Sequence, residues 1–484
     1  MSRLYYGDNL DVLREHVRDE SIDLIYLDPP FNSNAGYNVL FKAANGAGTD
    51  ASIEAFDDTW TWGEASQNAL LDIAGGSNRR LQVMIEAMHK AVGQNPLMAY
   101  LAMMAVRLVE LHRVLKPSGS LYLHCDPTAS HYLKLVLDSV FGAENFQNEI
   151  VWSYRRWPTV ARRFQRMHDI ILLYSKADGS QTFNTLLEPP TASSLKRWKG
   201  KKQRVTFDVT GKRNPTIEEA DVSQGVAMNA VWSIPILAPV SRERLGYPTQ
   251  KPRALLERII SASSNPGDVV LDPFCGCGTA VDAAQKLGRS WIGIDVTHIA
   301  IGMIEDRMRS GYPGIQFETI GVPRDLASAE RLAVEDPHQF QQWVSWQVGG
   351  FPREKKGGDR GVDGWFNYLA AKGRIETGVI SVKAGDNVTP NMVRDLGRVM
   401  ERDKHRFGLF VMKGLPTKGM RDEAASQPVI ETEFGRFPAL QFVTLAELFM
   451  GRKPKLPPLI SPVKKATRVE TRASHLAGSQ GSLL

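Results

Sequence analysis

Residues 269–279, with the sequence VVLDPFCGCGT, restrict the possible folds more than any other stretch of the chain. An apolar run that ends in an acid passes into a glycine-rich turn, and an apolar helical pattern follows at Thr279. Glycines at positions 276 and 278 permit positive φ and a close approach of the backbone to a ligand. Thr279 is suited to cap the helix. The pattern predicts a buried strand, a tight turn and a helix, as in an α/β fold.

A second acid follows at the expected distance. Asp295 ends the next apolar run, SWIGID, and lies 23 residues after Asp272. An acid about 20 residues after the first strand, at the tip of the second, suits hydrogen bonds to ribose hydroxyls. The pattern therefore predicts a nucleoside cofactor. It does not choose between nicotinamide, flavin and S-adenosylmethionine, and a generic βα turn remains the alternative.

The run Asp28-Pro29-Pro30-Phe31 follows another apolar segment, SIDLIYL at 21–27. The Asp28 carboxylate and a backbone carbonyl held rigid by the two prolines are acceptors on a stiff loop. Such acceptors suit the polarisation of an exocyclic amine, whose delocalised lone pair makes it a poor nucleophile. Phe31 offers a face for stacking an extruded base. The alternative is a Pro-Pro loop that only ends a strand.

Basic residues are concentrated in one segment. Residues 151–213 hold 14 Lys/Arg and 4 Asp/Glu, a net charge of +10, whereas the whole chain carries +6. The rest of the chain is therefore about −4, and the segment predicts a surface for nucleic acid. Interleaved aromatics could stack on bases: Trp152, Tyr154, Trp157, Phe164 and Trp198. The predicted DNA contacts are Arg155, Arg156, Arg162, Arg163, Lys201 and Lys202; a solvated basic loop is the alternative.

Composition sets wider bounds. A length of 484 residues predicts two to four domains, and 43% apolar with 23% charged residues is typical of globular chains. No run of 18 apolar residues occurs, so no membrane span is expected. Three cysteines cannot form a disulfide framework, which favours the cytoplasm. Cys275 and Cys277 lack a second Cys/His pair nearby, so a tight turn is preferred to a zinc site.

These two motifs resemble those of the DNA amino-methyltransferases, specifically the circularly permuted beta group that includes the modification subunits of type III restriction-modification systems. In that group the catalytic motif precedes the target-recognition region and the cofactor motif follows it, as here. The resemblance covers roughly residues 1–325. Other matching stretches are YGDNLDVL at 6–13, SLYLHCDPTASHYLKLVLD at 120–138, HDIILLYSK at 168–176 and YPTQKP at 247–252.

The resemblance implies a Rossmann-like domain with a mostly parallel sheet, S-adenosylmethionine as cofactor, and double-stranded DNA bound with base flipping. It implies cofactor contacts from Asp8, Lys251, Asp272, Phe274, Gly276, Gly278 and Asp295, and base contacts from Asp28, Pro29, Pro30 and Phe31. Tyr247 departs from the usual histidine of YPTQKP. Asp rather than Ser at position 28 favours adenine N6 over cytosine N4. A homodimer and a separate restriction subunit stay open.

The C-terminal third carries a different pattern. Asp363 lies in a glycine-rich turn, and Lys383 ends the strand TGVISVK. This spacing resembles the Mrr-like branch of the PD-(D/E)xK nucleases, which implies a small α/β domain and a divalent metal, with Asp363 as a candidate Mg²⁺ ligand. Ser381 stands where Glu or Gln is expected, and a hydroxyl is a weaker ligand than a carboxylate. Glu376 is a candidate replacement. An active nuclease, a degenerate DNA-binding module and an unrelated fold stay open.

The predicted domains are a catalytic half at 1–149, a target-recognition insert at 150–247, a cofactor half at 248–325, an Mrr-like domain at 335–450 and a basic disordered tail at 451–484. The leading hypothesis is an adenine-N6 DNA methyltransferase of a restriction-modification system. Its alternatives are cytosine-N4 methylation, a fused enzyme whose C-terminal domain cleaves DNA, a methyltransferase-like specificity protein that only binds DNA, and an RNA substrate.

Overall fold

The computed structural model describes residues 1–30, 61–157, 162, 164–199, 225–247, 249–353 and 361–460, together with the backbone of strands at 36–42, 48–57, 204–207 and 213–216. The side chain of Trp198 lies outside this description. Within these ranges, no helix combines the length and the apolar character that crossing a bilayer demands.

The described residues of the range 1–320 form one large sheet and three two-stranded sheets. The strands are β1 (Ser2–Tyr6), β2 (Ile22–Leu27), β3 (Gly36–Lys42), β4 (Gly48–Asp57), β5 (Leu115–Cys125), β6 (Phe146–Ser153), β7 (His168–Ser175), β8 (Leu187–Glu188), β9 (Arg204–Phe207), β10 (Arg213–Thr216), β11 (Val226–Ala227), β12 (Val231–Ser233), β13 (Val269–Asp272), β14 (Ser290–Asp295) and β15 (Phe317–Ile320). The large sheet has the order β12-β6-β7-β5-β2-β13-β14-β1-β15. Strand β7 runs antiparallel to its neighbours β5 and β6, and the other described pairs of this sheet are parallel. The prediction of a mostly parallel sheet is confirmed.

Helices cover both faces of this sheet. They are α1 (Asn9–His16), α2 (Glu64–Gly75), α3 (Arg79–Val92), α4 (Pro96–Val114), α5 (Ser130–Phe141), α6 (Ala192–Trp198), α7 (Arg253–Ser263), α8 (Thr279–Lys286) and α9 (His298–Gly311). Helices α1–α5 pack on one face and α7–α9 on the other. Strand β2 alternates between the two layers, since Ile25 joins the first and Leu24 the second. A strand buried on both faces accounts for the unbroken apolar run of its sequence.

Strand order brings the two sequence motifs together. Strands β2 and β13 are parallel neighbours, with Leu24 opposite Val270 and Ile25 opposite Leu271. Asp28 follows β2 directly, and Asp272 ends β13. Because parallel strands end at the same edge of a sheet, the DPPF loop and the glycine turn lie side by side although about 240 residues separate them.

The predicted insert at 150–247 shares its start with the large sheet. Strands β6, β7 and β12 belong to that sheet, so the predicted boundary at residue 150 divides β6. Trp152 and Tyr154 are buried, and the Trp152 indole donates to the carbonyl of Ile234 at 2.8 Å. Their expected role as surfaces for stacking on bases is therefore wrong.

A second sheet occupies the C-terminal third. Its elements are α10 (Leu326–Glu335), α11 (Pro337–Gln347), β16 (Phe351–Pro352), β17 (Gly364–Ala371), β18 (Arg374–Lys383), α12 (Pro390–Arg402), β19 (Gly408–Met412), α13 (Lys418–Ala425), β20 (Val429–Thr432), β21 (Gly435–Pro438), β22 (Leu440–Thr444) and α14 (Leu445–Phe449). The sheet order is β16-β17-β18-β19-β22, and β20 pairs with β21 in a separate hairpin. This small α/β fold matches the prediction for the region.

The ends of the C-terminal unit differ from expectation. Ala329 and Ala333 of α10 join its core, so the unit includes residues before 335. In the predicted tail, the carbonyl of Pro458 accepts a hydrogen bond from the Leu369 amide at 2.9 Å. Residues 451–460 thus pack on the sheet, which corrects the prediction of disorder there, and residues 461–484 lie outside the described ranges.

Candidate active site

A cavity of about 270 Å³ opens at the edge of the large sheet where β1, β2, β13 and β14 end. Most of the predicted base and cofactor contacts line it: Asp8, Asp28, Pro29, Pro30, Lys251, Asp272, Phe274, Gly276 and Asp295. Gly278 is not among the lining residues. Phe31 lies outside the described residues. The chain thus gathers segments from three distant parts of its sequence around one cavity.

The glycine turn is built as its sequence indicates. Gly276 has φ +48°, and its amide donates to the Asp295 carboxylate at 2.9 Å. Gly278 has φ +72°, and a Cβ there would lie 2.7 Å from Cγ1 of Ile304. Gly276 therefore belongs to the cavity wall, whereas Gly278 lets the turn pack closely against α9. Thr279 begins α8 without capping it by a side-chain hydrogen bond, which corrects the expected cap.

Asp28 has two oxygens in different environments. Oδ2 accepts a hydrogen bond from Nζ of Lys251 at 2.5 Å. Oδ1 is buried and has no hydrogen-bond partner among the described residues. A buried acceptor without a partner is costly, and proteins retain one where a ligand completes it. Oδ1 is therefore an acceptor at the cavity whose hydrogen-bonding capacity a ligand could use.

His124 was missed as a site residue by the sequence reasoning. It is fully buried at the end of β5, and its Nδ1 lies 3.7 Å from Oδ1 of Asp28. Nδ1 also lies 2.9 Å from the Tyr26 hydroxyl, and Nε2 lies 3.2 Å from Oδ2 of Asp169. The segments LHCD and HDII carry no local signal of this contact, because it depends on the pairing of β5 with β7, in which Cys125 lies opposite Ile170.

The entrance to α1 holds a second charged cluster. Asp8 caps α1 through the amide of Leu10 at 2.7 Å, and both its oxygens accept from Nη2 of Arg107 at 2.8 Å. Asn9 donates to the carbonyl of Pro273 at 2.7 Å and accepts from Arg107. These contacts fix the DNLDVL segment against the DPF turn, so Asp8 stands at the cavity in one orientation.

Two other acids of the site are perturbed by burial. Burial raises the pKa of Asp272 well above its usual value, and the charges of Asp28 and Asp295 add to the effect. Burial also raises the pKa of Asp295 to about 6, although hydrogen bonds from Thr297, Gly276 and Val296 oppose the change. Because a neutral acid tolerates burial better than a carboxylate does, burial favours the protonated form of both acids.

The predicted DNA contacts are partly described. Arg155, Arg156 and Arg162 are exposed. The Arg156 guanidinium lies 5.0 Å from the ring centre of Tyr154. Trp157 and Phe164 are 93% and 101% exposed, so two of the five predicted aromatics are available to a partner. Arg163, Lys201 and Lys202 lie outside the described residues.

In the C-terminal unit, Asp363 and Lys383 do come together. Nζ of Lys383 lies 3.9 Å from Oδ2 of Asp363. That same oxygen accepts from the amide of Val382 at 2.7 Å and from the Ser381 hydroxyl at 3.5 Å. Within the described ranges, no three His, Cys, Asp or Glu side chains are grouped as a metal site.

Glu376 does not replace the missing acid. It pairs with Tyr368 across the strands, whereas Ile380 pairs with Gly364 next to Asp363. Its carboxylate accepts from the Tyr368 hydroxyl at 2.6 Å and lies near Arg374 and Arg406. The candidate role of Glu376 beside Asp363 is therefore wrong.

Comparison with known proteins agrees with this geometry. Residues 22–306, more than half of the chain, match the sequence profile of a family described as DNA methylase. The chain belongs to the DNA methylase family. Residues 333–436 match the profile of a family described as restriction endonuclease, which confirms the predicted Mrr-like domain and removes the unrelated fold from the alternatives.

Individual relatives span much of this DNA methylase. The DNA adenine methyltransferase YhdJ of Escherichia coli K12 is 30% identical over 342 residues, 69% of this chain and 93% of that protein. The type II methyltransferase M.HpaI of Haemophilus parainfluenzae is 33% identical over 223 residues, 46% of this chain and 64% of that protein. A Thermus thermophilus protein described as a DNA modification methylase, solved with S-adenosyl-L-methionine, is 18% identical, with TM-score 0.38, covering 67% of this chain and 100% of that chain.

Proposed function

We propose that this DNA methylase transfers a methyl group from S-adenosylmethionine to N6 of adenine in double-stranded DNA. The observation that carries the proposal is the buried Oδ1 of Asp28 at the cavity, which has no hydrogen-bond partner among the residues that the structure describes. A flipped adenine would place its exocyclic amine against this oxygen. Membership of the DNA methylase family, the order of the motifs and a relative named a DNA adenine methyltransferase support it.

The cavity suits S-adenosylmethionine by its chemistry. Asp295 offers acceptors for ribose hydroxyls, Asp8 offers an acceptor at the adenine end, and Phe274 with Gly276 gives an apolar wall where the backbone is accessible. The cofactor, when bound, supplies an electrophilic methyl group on a sulfonium. The Lys251 ammonium pairs with Asp28. Because an ammonium has three donors, Lys251 can contact the cofactor carboxylate, as predicted, while it keeps this pair.

The residues of this chain do three things in the reaction. Asp28 accepts an N–H hydrogen bond from the amine and stabilises the positive charge that develops on nitrogen. Pro29 and Pro30 restrict the loop, so that the backbone acceptor keeps its direction. The buried walls around Asp272 exclude water and hold the amine in line with the transferred group. Asp at position 28 favours adenine N6; cytosine N4 is the alternative target.

The exposed cations of the insert supply the DNA surface. Arg155, Arg156 and Arg162 would neutralise phosphates, and Trp157 with Phe164 would contact bases or sugars. We also propose that the protein works in the cytoplasm on chromosomal DNA. Three thiols that are free and buried suit a reducing compartment.

The test is methyl transfer from tritiated S-adenosylmethionine to unmethylated bacterial genomic DNA. Asp28→Ala is expected to abolish transfer while the cofactor still binds, measured by calorimetry. Asp19→Ala is the matched control, since Asp19 forms an exposed ion pair with Arg113. Equal loss of transfer and of cofactor binding in Asp28→Ala would contradict the role given to Asp28.

A second candidate function concerns residues 333–436: we propose that this domain binds DNA without hydrolysing it. The restriction endonuclease match and the Asp363–Lys383 pair favour DNA contact. The described residues do not fit a Mg²⁺ site, because Ser381 adds a hydroxyl where an acid is needed and no three His, Cys, Asp or Glu side chains among those residues are grouped. We therefore derive no step through a metal.

Plasmid cleavage with Mg²⁺ tests this second proposal. The wild-type chain is expected to bind plasmid without nicking it, and Ser381→Glu is the variant that restores the missing acid. Ser426→Glu is the surface control. Cleavage by the wild-type chain that disappears in Asp363→Ala would show an active nuclease and overturn the proposal.

A further inference from the structure

A buried chain of polar groups stands behind the DPPF loop. It runs from Oδ1 of Asp28 to Nδ1 of His124 at 3.7 Å, and from Nε2 of His124 to Oδ2 of Asp169 at 3.2 Å. The Tyr26 hydroxyl lies 2.9 Å from the same Nδ1. His124 is fully buried, and packing of the Trp152 indole edge-on against its ring fixes the imidazole plane.

The groups around His124 are mostly acidic. Asp28 faces it from the DPPF loop, and Asp169 faces it from β7. Tyr154 donates its hydroxyl to Oδ1 of Asp169 at 3.0 Å, and Lys251 pairs with the far oxygen of Asp28. Burial opposes ionisation of Asp169, but the hydrogen bond and charge of His124, with the charge of Lys251, outweigh it and lower the pKa of this acid.

These contacts determine which group is the donor in each hydrogen bond. Burial and the charge of Asp28 raise the pKa of the Tyr26 phenol, so its hydroxyl stays protonated. Because the Asp169 carboxylate can only accept a hydrogen bond, Nε2 of His124 carries the proton in that contact. Nδ1 of His124 then accepts a hydrogen bond from the Tyr26 hydroxyl. When Nδ1 gains a proton, the Tyr26 hydroxyl can rotate and accept from it, because a phenol oxygen is both donor and acceptor.

The methyl transfer of the proposed function produces a proton that must leave. As the N–C bond forms and the S–C bond breaks, the amine nitrogen becomes positively charged and must lose one hydrogen. With the flipped adenine placed as proposed, Oδ1 of Asp28 is the acceptor nearest to the amine. A carboxylate that keeps this proton could not serve the next turnover.

We propose that His124, oriented by Asp169, is the positioning residue that clears this proton from Asp28. The N–H bond of the methylated amine breaks as Oδ1–H forms on Asp28. That proton then moves to Nδ1 of His124, which restores the Asp28 carboxylate and leaves an imidazolium held by Asp169. Water entering as the product leaves accepts the proton. A displacement of roughly 0.5–1 Å closes the 3.7 Å gap to hydrogen-bond distance.

The experiment measures methyl transfer to unmethylated genomic DNA over several turnovers between pH 5.5 and 9, together with cofactor binding by calorimetry and the melting temperature. Asp169→Asn is the main variant and His124→Asn the second. Asp138→Asn is the matched control, because Asp138 also accepts from a tyrosine hydroxyl, that of Tyr174 at 2.7 Å, but lies away from the cavity.

Asp169→Asn is expected to slow transfer about 10²-fold. It should also change the dependence of the rate on pH, because His124 loses the carboxylate that orients it. Cofactor affinity should stay within about twofold of the wild type. An unchanged pH profile, even with a slower rate, would overturn the inference and leave Asp169 as a packing residue. If His124→Asn fails to fold, Asp169→Asn alone decides.

The inference rests on the proposed function, and the two can fail separately. No transfer to DNA by the wild-type chain would refute the proposed function. Transfer by the wild-type chain, with the same rate and profile in Asp169→Asn, would refute only the part given to His124.

Discussion

Lys251 and Asp28, 223 positions apart in the chain, form a hydrogen-bonded ion pair of 2.5 Å at the wall of the cavity. Their side chains are 11% and 17% exposed, so the pair is largely shielded from solvent. The lysine therefore fixes one oxygen of the carboxylate and leaves the other for the substrate. This contact joins the YPTQKP and DPPF segments into one site.

Removing the lysine should impair both stability and activity. Lys251→Met leaves the Asp28 charge buried and unpaired, and is expected to lower the free energy of unfolding by about 2–4 kcal/mol, measured by urea denaturation. Methyl transfer should fall with it. Lys286→Met is the control, because Lys286 pairs with Glu257 in a more exposed setting and should cost less than about 1 kcal/mol. Equal effects of the two changes would contradict a special role for the pair.

The glycine turn offers a matched pair of substitutions. Gly278→Ala adds a Cβ 2.7 Å from Ile304 in a backbone with φ +72°, whereas Gly288→Ala has φ +74° and open space around it. Each substitution should lower the free energy of unfolding by about 1 kcal/mol, because alanine is strained at positive φ. Gly278→Ala should cost a further 1–3 kcal/mol, roughly the penalty of overpacking. Thermal unfolding of both variants measures the difference, and similar losses would show that close packing against α9 is unimportant.

Cofactor binding should depend on pH through Asp295. Its pKa of about 6 lies above the value of an exposed aspartate because burial favours the neutral acid. Raising the pH through 6 ionises the carboxylate, which then accepts more strongly from ribose hydroxyls, so the Kd of S-adenosylmethionine should fall between pH 5 and 7.5. Because burial raises the pKa of Asp295 in the folded state, ionisation of this acid as the pH rises also lowers the stability of the fold.

Calorimetry across this range, with Asp295→Asn beside the wild type, checks the assignment. The variant should bind more weakly at pH 7.5 and lose most of the dependence on pH. A wild-type affinity that stays constant from pH 5 to 7.5 would exclude Asp295 as the ribose acceptor.

Two exposed aromatics should affect DNA and leave stability unchanged. Trp157→Ala and Phe164→Ala are expected to weaken DNA binding, by about 1–3 kcal/mol each if the rings stack on bases. Their melting temperatures should match the wild type. Trp152→Ala is the contrasting change, since it empties a core position and should cost about 3–5 kcal/mol of stability. Unchanged DNA binding in both exposed variants would place the DNA surface elsewhere.

Local sequence predicted those parts of the site that depend on local geometry. The apolar run before Asp28 and the turn at Gly276 have strong signals, because a buried parallel strand and a positive φ each demand particular residues. Adjacency of the two motifs is set by the pairing of β2 with β13, which the local sequence does not indicate.

Contacts that depend on strand register could not be predicted from local sequence. His124 meets Asp169 only because β5 and β7 pair antiparallel, and no local pattern distinguishes that register from others. Trp152 lies in a segment whose composition is typical of DNA binding, yet it is buried because β6 belongs to the central sheet. In the C-terminal unit, the nearness of Asp363 and Lys383 was predictable from the resemblance, whereas the separation of Glu376 from Asp363 depends on the pairing of β17 with β18.

The most direct measurement is single-molecule sequencing of genomic DNA from cells that lack other adenine methylation and express either the wild-type chain or Asp28→Ala. We expect N6-methyladenine in one sequence context with the wild-type chain and its absence with the variant. No modified adenine in cells that produce the folded wild-type protein, or N4-methylcytosine in its place, would contradict the account.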